Sequence, residues 1–145
     1  MLAGAAPVLV HNCEVTDAAR NSAAEYSALP GRQRQGGAAE ALQVKGYKPI
    51  VRTSDGGAGD RAVHPAVQNV LDSIPAARQG DNHGGCGLVA CLTDALNSGL
   101  DPTGASAAAF MIRSPNHKYY LKEMDPCPSC AVLGAHFKID FKTKW

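Results

Sequence analysis

The sequence predicts an α/β sandwich, a central sheet flanked by helices, and three features of the chain predict it. From residue 40 onward the signals run strand, strand, helix, helix, strand, strand, helix, strand. Residues 86–98, CGLVACLTDALNS, are apolar around most of a helical circumference, which suits a buried helix. The C-terminal KIDFKTKW alternates polar and apolar side chains, as a half-buried strand does. At 145 residues the chain has the length of one ordinary domain, roughly 100–200 residues.

The elements follow in order. Residues 1–12, MLAGAAPVLVHN, are a short apolar run. Residues 13–39 read as a linker with a short helix over 14–27, interrupted by Pro30-Gly31 and Gly36-Gly37. The main domain is expected over 40–145. Its first stretch, ALQVKGYKPIVRTS, supplies two short strands within 42–53 on either side of Lys45-Gly46, and SDGGAGD (54–60) is a loop. In 63–74, Val63, Val67, Val70, Leu71 and Ile74 recur at helical intervals, with Pro65 in the first turn and His64 as the residue that starts the helix. A polar, glycine-rich stretch leads to the helix over 86–98, which Gly99 ends. Strands are expected over 106–113 and 117–122, separated by Pro115-Asn116. A helix over 127–134 follows Pro126, and the tail 137–143 is the last strand. The helices 86–98 and 127–134 should pack side by side on one face.

Composition removes several classes. No apolar run approaches the ~20 residues of a membrane helix, so no membrane partner is expected. No basic start precedes a long apolar stretch, so no signal peptide is expected. Five cysteines in 145 residues are too few for a disulfide-stapled mini-fold. The formal net charge of +1 neither demands nor excludes a polyanionic partner. The charge is uneven, however: residues 113–145 hold six Lys and Arg against three Asp and Glu. That basic third can face a phosphate backbone, or simply be a solvated lysine edge that keeps a strand from aggregating.

The cysteines carry the chemical signal. Cys127 and Cys130 form Cys-Pro-Ser-Cys at a helix start, where two thiolates can turn toward one metal and the helix dipole stabilises them. Alone, this spacing fits a redox pair, a zinc knuckle or chance. Cys86, which opens the 86–98 helix after Asn-His-Gly-Gly, is a third candidate. Three thiolates from two helix starts would leave zinc its fourth position for water, the mark of a catalytic rather than structural site. Cys91 lies five residues after Cys86, about 140° around the helix, and reads as a buried structural thiol.

HGGCGLVACLTDALNSGLDP followed by DPCPSC resembles the zinc-dependent nucleobase deaminase superfamily, and specifically the YwqJ-like group of bacterial toxin deaminases. VHPAVQNVLD is similar to that group's helix before the motif, and the likeness covers about residues 40–140. The resemblance implies a three-layer cytidine deaminase-like sandwich with a central mixed sheet. It implies Zn2+ held by Cys86, Cys127 and Cys130, and water-driven removal of an exocyclic amine, foremost from cytosine, with adenine the runner-up. A non-catalytic, zinc-stabilised nucleic-acid-binding module is the alternative from another class.

One position departs from the family pattern. Two residues after the first ligand the family carries a glutamate that shuttles protons, and this chain carries Leu88. Leucine neither takes nor gives a proton. The chain as written is therefore expected to be inactive, as a deliberately silenced toxin would be, and Leu88→Glu is expected to restore activity. His83 matches the motif's histidine, as a hydrogen-bond donor or stacker toward substrate or as a loop-stabilising side chain. Asn82 is a loop cap or a base contact. His117 and Tyr119 can stack on a base or ribose, or belong to a strand's core. Arg113 and Lys118 are expected on the nucleic-acid surface.

VLVHNC (8–13) resembles the C-terminal junction of HINT autoprocessing domains, which makes residues 1–12 the remnant of an upstream domain. The resemblances together imply a secreted effector acting in the cytoplasm of a target bacterium. Its partners would be nucleic acid, with single- or double-stranded DNA favoured over RNA, and a cognate immunity protein. A monomer is expected.

Overall fold

The computed structural model describes residues 11–31, 37–54 and 62–144, with side chains from residue 14 on. The VLVHNC junction and the 1–12 remnant lie outside the described residues, save for the helical backbone of His11–Cys13.

Strands β1 (Ala38–Gln43), β2 (Ile50–Thr53), β3 (Ser106–Met111) and β4 (Asp140–Phe141) form one sheet in the order β2-β1-β3-β4. β1 is antiparallel to both neighbours, with Glu40 opposite Arg52 on one side and Ala109 on the other. β4 runs parallel to β3, so the sheet is mixed, as expected. Helix α1 (His11–Ser27) covers one face. On the other lie α2 (Pro65–Asp72), α3 (Gly87–Asn97) and α4 (Pro128–Phe137).

Alternation along the strands divides two cores. Ala39 and Ala41 of β1, with Ala108 and Phe110 of β3 and then Ile112, meet Val15, Ala19 and Ala23 of α1. These helix positions recur every four residues, so they share a face. Small side chains on both surfaces let this helix approach the sheet closely. The helix inside the 13–39 segment is thus packed on the sheet along much of its length. On the opposite face Leu42 and Ala107 join Val67, Leu71, Leu88, Leu92, Leu133 and Phe137 in the larger core. Gly134 leaves room for the Phe141 ring, which a Cβ there would displace. α2 packs against both α3 and α4, and its His64 Nδ1 accepts from Ala66 N at 3.0 Å, the helix-starting role expected of it.

Two strand expectations need correction. Residues 117–122 do not form a strand. His117 to Leu121 fold into successive turns, with Tyr120 N donating to His117 O (3.0 Å) and Lys122 N to Tyr119 O (3.1 Å). Leu121 sits at φ 53, and His117 Nδ1 accepts from Tyr119 N at 3.1 Å. Local bonds therefore take the amides that a ladder would have used. Only the next residues rejoin β3: Met111 N donates to Lys122 O (2.8 Å) and Met124 N to Ala109 O (3.0 Å). The tail strand is also shorter than 137–143. α4 continues through Phe137, Lys138 ends it in the left-handed region (φ 56), and only Asp140–Phe141 pair as strand. Beyond them Thr143 Oγ1 accepts from Ala109 N and donates to Met124 O, which ties the tail to the same edge.

Candidate functional site

Two helix N-termini converge on one point. Cys86 is the N-cap of α3 (φ −69°, ψ 153°) and Cys127 the N-cap of α4 (φ −64°, ψ 165°). Pro128 suits the first helical position because its missing N–H has no partner there anyway. The Cys127 sulfur accepts from Cys130 N at 3.3 Å, so it caps its own helix. Cys86 Sγ and Cys127 Sγ are 3.2 Å apart, and all three sulfurs lie within 4.8 Å of one another. Both helix dipoles thus present their positive ends to the sulfurs.

The thiols cannot all ionise unaided. Hydrogen bonds from the Cys130 thiol and then the Cys86 thiol hold Cys127 down to about 3, as a thiolate. The same sharing, led by the bond to Cys127, pushes Cys86 and Cys130 above the ordinary thiol range, and burial adds to it. A divalent cation resolves this crowding. Three thiolates are a soft donor set that fits zinc, whose tetrahedral S···S separation is about 3.8 Å. Cys86, Cys127 and Cys130 could hold such an ion.

Beside the sulfurs is a cavity of about 200 Å³. The three cysteines line it together with Asn82, Met124, Asp125 and Glu40. Glu40 projects from β1 on the face of Leu42, toward α3. Gly87 makes that approach possible. A Cβ at 87 would stand 2.8 Å from Arg52 O and 3.0 Å from Glu40 Cβ, so any larger residue would hold α3 off the β1–β2 hairpin.

The remaining residues singled out in the sequence fall around this centre. The Asn82 carbonyl accepts from Gly85 N (2.9 Å) and faces Cys86 Sγ at 3.8 Å. His83 Nδ1 is 2.7 Å from Ser129 Oγ, which also accepts from Gly80 N at 2.9 Å. This buried serine thereby pins the 80–85 loop to α4, and the histidine does not line the cavity. Leu88 does not line it either. It is 1% exposed and packed in the larger core. Arg113 donates to Gly37 O (3.2 Å) and Ile112 O (2.7 Å); Gly37 lines the cavity and Arg113 itself does not. His117 is exposed in the turn, its ring 5.5 Å from that of Tyr119. The Lys118 and Lys122 ammonium groups stand 4.8 and 5.8 Å from the Tyr119 ring. Cys91 is turned to the hairpin, where its thiol meets Ile50 O at 3.4 Å, and burial pushes that thiol up.

Glu40, 46 residues before Cys86, is a cavity residue that the sequence motifs do not single out. Its signal was present: it is the lone charge in the otherwise apolar and amide strand AAEALQ, on the face that Ala38 and Leu42 bury. Asp94, two helical turns beyond Cys86 on α3, is paired with Arg52 at 2.6 Å.

The sequence model of the YwqJ-like deaminase family matches residues 21–139. The match begins within α1 and ends between α4 and β4, so it takes in all three cysteines and the cavity. No curated protein and no solved structure matches the chain.

Proposed function

The chain belongs to the YwqJ-like deaminase family, and from that premise we propose that it is a zinc-dependent nucleobase deaminase that converts cytosine to uracil in DNA. The observation that carries this reading is the convergence of Cys86, Cys127 and Cys130 beside a cavity. Zinc held by those thiolates supplies Lewis-acid activation of water. The protein's own groups do the rest. At about 200 Å³ the cavity lies below the roughly 300–1,000 Å³ of drug-sized pockets, which suits one base and not a stacked pair. The target base must therefore leave its stack, and a single strand gives it up more cheaply than a duplex. In this reading Asn82, on the cavity wall, meets the base edge, while Arg113, Lys118 and Lys122 offer charge to phosphates.

In this reading the domain is a secreted toxin effector, monomeric, active in the cytoplasm of a target bacterium and neutralised by an immunity protein. Adenine, attacked at C6, and RNA are the alternative substrates. The non-catalytic zinc-binding module is favoured by one observation, that Leu88 is a core residue unable to move protons. One assay separates these readings: the zinc-loaded protein is incubated with single-stranded DNA, double-stranded DNA and RNA, and uracil, inosine and ammonia are measured. Uracil supports the proposal and inosine alone supports adenine. Neither product from any substrate leaves the binding module and the silenced deaminase that Leu88 implies, and product from Leu88→Glu alone marks the latter.

A further inference from the structure

Replacing the amine of cytosine by oxygen consumes one water and releases one ammonia, so protons must pass from the water to the base. Position 88 cannot carry them. Among the described residues two acidic residues line the cavity, Glu40 and Asp125. Asp125 is exposed, and it is not among the principal charges felt by the thiols. Glu40 is half-buried on the central strand, and its charge bears on Cys91 as well as on Cys86 and Cys130. Its backbone is held from both sides, opposite Arg52 and Ala109, so the side chain projects from a rigid base. Gly87 brings the capped end of α3 within contact distance of the Glu40 stem. This brings an acidic residue of the sheet, rather than of the helix, to the cavity that the three cysteines line.

We propose that Glu40 is the catalytic acid–base residue of this site, supplying from β1 the proton relay that the related motif carries at position 88; the inference rests on the deaminase reading above. As the water oxygen bonds to C4 of cytosine, Glu40 takes one of its protons and the C4=N3 electron pair moves onto N3. Glu40 then delivers that proton to N3. It next takes the hydroxyl proton and passes it to the amine. The C4–N bond breaks with its pair on the departing ammonia, C4=O forms, and the carboxylate returns to its starting state. No oxidant or further reactant is needed. On this view Leu88 is compatible with an active enzyme.

The test compares the unmodified chain with Glu40→Gln and Glu40→Asp, reading product formation, zinc content and melting temperature. Glu40→Gln keeps shape and polarity, so it should hold about one zinc per chain, melt with the unmodified protein and lose roughly 10²–10⁴-fold in rate. Glu40→Asp should retain an intermediate rate. A second readout does not depend on turnover. Cobalt(II) loaded in place of zinc gives visible bands that report on its open coordination position, and Glu40→Gln should shift those bands and their pH midpoint. Full activity in Glu40→Gln, or loss confined to Asp125→Asn, overturns the proposal. If the unmodified chain deaminates no base, the deaminase reading falls and the cobalt spectrum alone judges Glu40. Bands that Glu40→Gln leaves unmoved then overturn its placement, and shifted bands support it.

Discussion

Cys86 Sγ and Cys127 Sγ stand 3.2 Å apart although 41 residues separate them, because each is the N-cap of its own helix and the two helices start at the same place. Neither helix alone provides more than two sulfurs to one point. The site therefore depends on tertiary packing, and its energetics should be coupled to folding.

That coupling sets the first expectation. The purified protein should hold about one zinc per chain. A chelator should lower the melting temperature by about 5–10 °C, from a binding contribution of roughly 2–4 kcal/mol at ligand well above its dissociation constant. Cys127→Ser should abolish stoichiometric zinc and this stabilisation together. Unchanged metal content and melting temperature in Cys127→Ser would remove the site assignment.

In the metal-free protein, Cys127 should be alkylated by iodoacetamide before the other three described thiols, Cys86, Cys91 and Cys130. Its thiol is held at about 3, below the ordinary 9.0, so it remains a thiolate as pH falls. Its rate should stay nearly flat between pH 8 and about 5, where an ordinary thiol slows about tenfold per unit. Cys91 is fully buried and pushed up, so it should react last. Mass-spectrometric mapping reads the order, and zinc should suppress the Cys127 reaction. Earlier labelling of Cys91 would contradict the described packing.

Leu88→Glu should not behave as the sequence motif suggests. The side chain at 88 is packed in the core and away from the cavity, so glutamate there would be buried among apolar groups. The cost should be roughly 2–5 kcal/mol, or a proton taken up to keep the acid neutral. Denaturant titration should show the loss, and deaminase activity should not rise. A stable variant with a large gain in rate would return the relay to position 88.

Gly87→Ala tests how the centre is assembled. Its Cβ would stand 2.8 Å from the Arg52 carbonyl, a backbone atom fixed in the hairpin, so the start of α3 must shift. We expect a loss of about 1–3 kcal/mol in stability. Zinc affinity should fall as well, since Cys86 moves with the helix start. Wild-type zinc affinity in Gly87→Ala would show that the close approach is not needed.

Much of this protein was determined by the sequence alone. The Cys-Pro-Ser-Cys spacing, the glycine-rich lead into Cys86 and the apolar α3 are local patterns, and local rules of capping and periodicity read them correctly. The order of the elements likewise specified a sheet between helices, the family resemblance implied that it is mixed, and Pro65 marked the start of α2. Tertiary structure decided the rest. Residues 117–122 carry a strand-like alternation, but turn bonds and the left-handed Leu121 claimed their backbone. α1 has a modest local signature, and its burial follows from alanines on β1 and β3 that only the paired sheet brings together. Glu40 lies 46 residues before Cys86, so no spacing rule links them. It lines the same cavity as the cysteines because β1 sits centrally in the sheet and Gly87 lets α3 close on it. The physical reason is range: capping and turn chemistry act over about four residues, whereas strand pairing and core packing join positions far apart in the chain.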